Sequence, residues 1–221
     1  MKIIVAVWNP KQAVVLGETM REALRRAGAT RLQVNLDDMH IPEGVLRLQA
    51  FDAPLTGVVS IWTNDSAAAA IAAVRPGGER IAAWQVEERI PLEPPEVPDG
   101  RRADGLAQVA FLRRPADLPY EVWRNHWQGP HTQIAVETQA TFGYVQNRVI
   151  DVLTEDTPRV DAIVEELFPN AAMRDIHAFY GSGGDQAELD DRMTRLMESV
   201  STMGADQDLD LVPTSRYVFQ L

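Results

Sequence analysis

Two histidines and two tryptophans fall within nine residues in the second half of the chain, in the segment Trp123–His131. An imidazole beside indole rings in a partly dry environment is how proteins tune a general acid or base to work near neutral pH. His131 directly follows a helix-breaking Gly-Pro pair, and we expect it to be the main acid/base group, with His126 in a supporting role. Trp123 and Trp127 are spaced i,i+4, so they either form the aromatic wall of a substrate pocket or belong to the buried stripe of a helix.

The same segment argues against a metal or a bound cofactor. His126 and His131 are five residues apart with Gly129-Pro130 between them, which is poor spacing for two ligands on one regular helix. The chain has no cysteine. Its glycine-rich stretch Gly181–Gly184 lacks the Lys-Ser/Thr pair of a phosphate-binding loop. We therefore expect no metal site and no cofactor.

The strand predicted after this segment supplies further polar candidates. In Tyr144–Ile150, alternation places Tyr144, Gln146 and Arg148 on one face and Asn147 on the other. We expect Tyr144 to take part in catalysis. The side chains expected to bind polar groups of a substrate are Gln146, Asn147 and Arg148.

Acidic residues alternate with apolar ones in the next predicted strand, Asp161–Leu167. Asp161 and Glu165 share a face that we expect to line the cavity, where Glu165 could orient an imidazole and Asp161 could bind substrate. The opposite face, which includes Glu166, is more apolar and suits packing against helices. A solvated sheet edge is the alternative reading for these acids. His177 is predicted on a short helix, either at the cavity mouth as a substrate-binding residue or in a structural role.

Composition narrows the classes of function. With 32 acidic and 21 basic residues the formal net charge is −11, which disfavours binding to nucleic acid or to an anionic membrane surface. No stretch approaches the roughly 18 apolar residues of a membrane span. The apolar N-terminus is too short for a secretory signal and reads as a first strand. The absence of cysteine fits a reducing compartment, so we expect a cytoplasmic protein.

The hydrophobic pattern predicts the element order β-α-β-β-α-β twice along the chain. A proline-rich stretch, Ile90–Gly100, separates the two halves. The sequence thus predicts an α+β protein with a ferredoxin-like domain at residues 1–92, a linker at 93–104 and a second ferredoxin-like domain at 105–221. Each domain would have one bare sheet face, so we expect the two sheets to pack together as an α/β barrel of the dimeric type. Further association into a homodimer stays open.

The second half resembles the EthD family over roughly residues 106–168. The resemblance is carried by Trp123, His126, Trp127 and His131, by the strand Tyr144-Val-Gln-Asn-Arg-Val149 and by Val160–Phe168, with Ala162 where the family has glycine. The ending Pro213–Phe219 matches more loosely. The resemblance implies a dimeric-type α/β barrel, here in a fused form. It also implies decarboxylation or cyclisation of aromatic, polyketide-like molecules, or an accessory part in ether degradation.

Three functional hypotheses follow. The first is a cofactor-independent lyase, of the decarboxylase or eliminating type, that acts on a bulky aromatic small molecule in a catabolic or polyketide-like pathway. The second is a cofactor-free or haem-dependent monooxygenase. The third is a binding or accessory protein of a degradation pathway, without turnover.

Overall fold

Eight β-strands form the frame of the protein, whose computed structural model describes residues 1–221. The strands are β1 (Lys2–Trp8), β2 (Ala29–Leu36), β3 (Gly57–Thr63), β4 (Arg80–Leu92), β5 (Leu106–Leu112), β6 (Gly143–Val152), β7 (Ala162–Phe168) and β8 (Asp210–Gln220). They form one closed barrel in the order β1-β3-β2-β8-β5-β7-β6-β4. Every neighbouring pair is antiparallel.

Seven α-helices connect these strands. They are α1 (Gln12–Val15), α2 (Glu18–Arg26), α3 (Ala67–Val74), α4 (Tyr120–His126), α5 (Thr132–Thr138), α6 (Ile176–Tyr180) and α7 (Gln186–Thr202). Side-chain caps begin several of them: the Asp185 carboxylate, for example, accepts the Ala187 and Glu188 amides at 2.8 and 3.2 Å at the start of α7. Helices α1 and α2 are separate, because Gly17 between them adopts an extended conformation. None of the helices has the length and apolar character needed to cross a lipid bilayer.

The predicted order of strands and helices is confirmed, and it explains how the barrel closes. The first half contributes the neighbours β4-β1-β3-β2, and the second half contributes β8-β5-β7-β6. The two sets join edge to edge through the pairs β2–β8 and β4–β6. The halves therefore share one continuous sheet that leaves no strand edge unpaired.

Both faces of this sheet are buried. One apolar cluster of 14 residues, which includes Trp84, Phe111 and Ile163, fills the barrel interior. Outside the barrel, a cluster of 19 residues packs the helices of the first half against their strands, and one of 11 residues does so in the second half. Neighbouring residues of one strand therefore point into different compartments.

The connection between the two halves begins only after the first proline of the stretch Ile90–Gly100. Strand β4 continues through Pro91 to Leu92, and its pairing with β6 becomes irregular between Arg89 and Leu92, where a residue without an N–H can be accommodated. Residues 93–104 contain no helix or extended strand and run along β8. There the Gly100 amide donates to the Val218 carbonyl at 2.8 Å, and the Ala103 amide donates to the Arg216 carbonyl at 2.7 Å.

The closed interior predicts a large cost for removing a central ring. Phe111 is fully buried, with ring centroids 5.3 Å from Phe51 and 5.9 Å from Trp84. We expect Phe111→Ala to lower the free energy of unfolding by about 3–5 kcal/mol, because the side chain is lost and a cavity is left behind. Urea denaturation measures this, with Ile150→Ala as the control, since Ile150 is 46% exposed. Equal effects of the two substitutions would contradict the packing described.

Candidate functional site

A break in the helix after β5 brings His131 into the protein. Helix α4 ends at His126, and a wide turn from Trp127 to His131 leads into α5. Within this turn Gly129 has φ −109° and ψ −106°, outside the helical region, and Pro130 follows without an amide hydrogen to donate. The predicted interruption at Gly129-Pro130 is thereby confirmed. It places the imidazole of His131 in a buried position, 7% exposed.

His131 faces a cavity of about 240 Å³ on the helix side of the second half of the sheet. Sixteen of the 21 lining residues are hydrophobic. The cavity floor comes from β5 to β8, and its walls come from α5, α6 and α7. The polar lining consists of Gln108, His131, Gln139, Glu166 and Asp206, together with the phenols Tyr144 and Tyr180.

A loop from the first half of the chain borders this cavity. Leu46 and Leu48, between β2 and β3, both line it. The loop is held by two backbone hydrogen bonds between Leu48 and Leu211, at 3.1 and 2.9 Å. A third bond runs from the Gln108 side-chain amide to the Leu46 carbonyl, at 3.1 Å. The two halves of the chain therefore complete one site together.

Three polar side chains stand side by side on the cavity floor. In the strand register Glu166 on β7 lies opposite Tyr144 on β6 and opposite Gln108 on β5. Directly opposed residues of antiparallel strands have Cβ atoms about 4.5–5.5 Å apart, so these groups are neighbours. In the orientation that satisfies its surroundings, the Gln139 amide donates to Glu166 Oε1 at 3.0 Å.

Burial gives Glu166 unusual acid/base behaviour. No cation pairs with its carboxylate, and removal from water disfavours the charged form, which raises the pKa of Glu166 to about 7. Its carboxyl therefore ionises at a higher pH than that of an ordinary glutamate. Burial and the Glu166 charge also raise the pKa of Tyr144, which keeps that phenol protonated as a hydrogen-bond donor.

The imidazole of His131 is held in the neutral form. Burial, and to a lesser extent the nearby His126, lower the pKa of His131 to about 4. Its Nδ1 lies 3.0 Å from Ser199 Oγ on α7. His126 is half-buried, and its Nε2 lies 3.0 Å from the Ser199 carbonyl oxygen and 3.1 Å from Ser199 Oγ. The two predicted histidines are therefore linked by a serine that sequence reasoning missed.

Glu165 does not occupy the predicted position beside an imidazole. It points into the barrel interior, the opposite side of the sheet from His131. There its carboxylate accepts Gln33 Nε2 at 2.8 and 2.9 Å and Asn35 Nδ2 at 2.9 Å, and Arg216 Nε lies 3.4 Å away. Alternation separated Glu165 from Glu166 correctly, but the cavity lies on the helix side, so the carboxylate at the site is Glu166.

The two tryptophans form core rather than cavity wall. Trp123 and Trp127 are fully buried, their rings stack with centroids 5.2 Å apart, and neither lines the cavity. Both indole nitrogens lack a hydrogen-bond partner. The pair supports the turn that carries His131. Of the two predictions for these tryptophans, the structure agrees with the buried stripe of a helix.

The other predicted substrate-binding residues also lie outside the cavity lining. Gln146 accepts from Arg89 at 2.8 Å and donates to Thr132 at 2.8 Å, which ties β6 to β4 and α5. Asn147 is in the barrel interior, where it donates to the Ile163 carbonyl at 3.1 Å.

Arg148, Asp161 and His177 lie nearer the surface. Arg148 pairs with Glu87 at 2.7 Å. Asp161 accepts the Arg114 amide at 2.9 Å beside Arg159. His177 Nδ1 lies 2.7 Å from Ser182 Oγ on the outer side of α6, whose residues Phe179 and Tyr180 do line the cavity. No group of three or more His, Asp or Glu side chains is placed to hold a metal ion.

Comparisons with known proteins bear on the fold. No protein-family model and no curated protein matches the sequence. Among solved structures the chain is similar to an anthrone oxidase-like protein, with 8% identity and a TM-score of 0.53 over 99% of this chain and 92% of that one. A protein provisionally named a monooxygenase, from Fusobacterium nucleatum subsp. nucleatum, aligns over 99% of this chain and 91% of that one, with 7% identity and a TM-score of 0.45. At this low identity, the similarity to the anthrone oxidase-like protein shows the overall fold alone.

The raised pKa of Glu166 predicts a pH-dependent stability difference. In the folded protein the carboxyl stays protonated up to about pH 7, whereas in the unfolded chain it ionises near its ordinary value of 4.5. The stabilising contribution of Glu166 is therefore complete below pH 4.5 and is lost as the pH rises through 7. We expect Glu166→Gln, which is neutral throughout, to gain roughly 1–3 kcal/mol relative to the wild type between about pH 4.5 and pH 8.

The measurement is urea denaturation of both proteins across this pH range. His131 acts in the opposite direction, because its lowered pKa weakens folding as the pH falls from 6.5 to about 4. The difference between variant and wild type isolates Glu166 from that effect. Glu43→Gln, on the exposed loop after β2, is the control and should show no such trend. A flat difference for Glu166→Gln would mean that this carboxyl titrates normally.

Proposed function

We propose that the protein is an acid/base enzyme that removes a proton from carbon in a compact aromatic ketone and then lets the resulting enolate react with dioxygen. One observation carries the proposal. A single apolar cavity holds a carboxyl whose pKa is raised to about 7, Glu166, together with a neutral imidazole, His131. A base with a pKa near the working pH combines a useful ionised fraction with strength as a proton acceptor.

The other polar groups suit the charge that develops on the substrate. Loss of a proton beside a carbonyl puts negative charge on the carbonyl oxygen. The Tyr144 hydroxyl and a neutral imidazole N–H of His131 are donors that can stabilise such an oxyanion inside a mainly apolar cavity. Glu166 and Tyr144 are register neighbours, so a flat molecule on the cavity floor would contact both.

The size and lining of the cavity support one class of substrate. Its hydrophobic lining favours an apolar ring system, and about 240 Å³ favours a compact one over the bulky aromatic molecule predicted from sequence. Several aromatic side chains surround it, including Phe179 and Tyr180 from α6. A phenolic or ketonic molecule of two or three fused rings meets these requirements.

The similarity in fold supports dioxygen as the partner of the enolate. The similar solved structure is named anthrone oxidase-like. Anthrone carries a CH₂ group activated by a carbonyl across the ring. Base removes one proton, the carbanion adds dioxygen, and the peroxide anion is protonated. Loss of the second proton with hydroxide then leaves the quinone and one water. This sequence converts CH₂ and O₂ to C=O and H₂O.

The proposal includes the architecture expected from the sequence. The equivalent strand orders β4-β1-β3-β2 and β8-β5-β7-β6 support two ferredoxin-like units fused as a dimeric-type barrel, the architecture that the EthD resemblance implies.

A haem-dependent reaction fits the cavity less well, because a porphyrin needs more room. The cavity volume is already below the ~300–1,000 Å³ of common ligand pockets. An absorption spectrum of the purified protein tests the haem alternative through the Soret band.

Oxygen uptake with anthrone as the probe tests the proposed function. We expect turnover by the wild type and a fall of about 10²–10⁴-fold in kcat for Glu166→Gln, since the general base is lost. The rate should rise with pH through about 7 as Glu166 ionises. Tyr144→Phe should reduce kcat by about 10-fold or more through the loss of one donor.

Glu165→Gln is the matched control because it alters the neighbouring carboxylate on the other face of β7. We expect it to keep the kcat of the wild type wherever circular dichroism shows a folded protein. Equal loss of activity in the two variants would contradict the assignment of Glu166. Conversion of an aromatic carboxylic acid without oxygen would favour the lyase. Thermal stabilisation by anthrone without any turnover would favour a binding protein.

A further inference from the structure

Ser199 forms a bridge between the two histidines of the site. This serine is on the inner face of α7 and is 4% exposed. Its hydroxyl oxygen lies 3.0 Å from His131 Nδ1 and 3.1 Å from His126 Nε2. The imidazole centroids are 6.4 Å apart, and no direct hydrogen bond joins the rings. The serine hydroxyl therefore provides the hydrogen-bonded connection between them.

One placement of the protons satisfies all three contacts. A carbonyl oxygen only accepts hydrogen bonds, so the 3.0 Å contact with the Ser199 carbonyl calls for a hydrogen on His126 Nε2. Ser199 Oγ can accept from the same N–H, which leaves the hydroxyl hydrogen available to His131 Nδ1. In that arrangement the neutral imidazole of His131 carries its single proton on Nε2.

His131 Nε2 is the end of this chain that is open to the cavity. It makes no hydrogen bond within the protein, yet it is absent from the fully buried nitrogens that lack a partner, so it retains accessible surface. His131 lines the cavity, and His126 at the other end is half-buried on the side of α4. The three side chains thus connect the cavity with the outer surface of the helices.

We propose that His126, Ser199 and His131 form a proton relay that delivers protons from solvent to the cavity. The proposal rests on the proposed function, in which oxygen atoms of the peroxide must gain protons. His131 Nε2–H gives its proton to the substrate oxygen while Nδ1 takes the proton of the Ser199 hydroxyl. Ser199 then takes the proton of His126 Nε2, and His126 Nδ1 takes one from water. Each group loses one proton and gains one, which leaves both imidazoles as the other tautomer, and exchange of their protons with water restores the resting form.

A structural role alone does not account for the whole arrangement. Ser199 is one of the last four residues of α7, whose carbonyls lack intrahelical partners, so the His126 N–H caps the end of that helix. That role requires only the carbonyl oxygen. The additional alignment of the Ser199 hydroxyl with both rings is what a proton relay requires.

Nitrogen-15 NMR of the imidazoles tests the resting arrangement without any substrate. We expect His131 in the wild type as the neutral Nε2–H tautomer near pH 7. In Ser199→Ala the donor to Nδ1 is lost, so we expect a substantial population of the Nδ1–H form. Thr194→Ala removes a hydroxyl from the exposed face of the same helix and should leave the spectrum unchanged. A wild-type His131 that carries its proton on Nδ1 would overturn the relay.

Kinetics test the transfer itself. We expect His126→Gln, whose amide can still donate to the Ser199 carbonyl, to lower kcat about 10-fold with KM unchanged. Free imidazole in the buffer should restore part of the lost rate by delivering protons in place of the missing ring. Ser199→Ala should lower kcat similarly, and Thr194→Ala should not. Wild-type kcat in both His126→Gln and Ser199→Ala would overturn the relay.

The outcomes separate this proposal from the proposed function. If Glu166→Gln abolishes oxygen uptake while the His126 and Ser199 variants keep it, the cavity assignment stands and the relay fails. If the wild type does not turn over anthrone, the proposed function fails for this probe. In that case the tautomer of His131 and its change in Ser199→Ala still decide whether the hydrogen-bonded chain exists.

Discussion

Burial of both faces of a closed sheet is the constraint on which the rest of this structure depends. Because the strands meet without a free edge, each successive side chain points either into the barrel or toward the helices. Glu165 and Glu166 show the consequence. The first is satisfied by amides and Arg216 in the interior, whereas the second is left in an apolar cavity with one amide donor. One peptide unit separates a carboxylate with several partners in the barrel interior from the one that lines the cavity.

The two halves of the chain share an order of elements but differ in the space between their helices and the sheet. On the helix side of the first half, 19 apolar residues pack closely. In the second half the helix is interrupted at Gly129-Pro130, and a cavity lies between the sheet and α5 to α7. The first half contributes the loop with Leu46 and Leu48 to the border of this cavity. Both halves of the chain therefore line the candidate site.

Much of this fold could be predicted from the sequence, and less of the site. The strands follow from alternation and turn residues, and the break at Gly129-Pro130 from the chemistry of proline. Alternation also separated the faces of β7. It could not say which face borders empty space, because that depends on how closely distant helices pack. For this reason Glu165 was expected at the cavity, whereas the structure places it in the barrel interior and Glu166 at the cavity. Ser199 lies on a helix 68 residues away from His131, and nothing in the local sequence indicates its contact with the two histidines.

Hydrogen exchange tests most directly whether Glu166 removes a proton from carbon inside the cavity, as we propose. Anthrone incubated with the protein in D₂O without oxygen cannot be oxidised, so exchange at its CH₂ group reports proton removal alone. We expect wild-type exchange well above the uncatalysed rate, with exchange in Glu166→Gln close to that background and Glu165→Gln resembling the wild type. Equal exchange in the wild type and Glu166→Gln would contradict it.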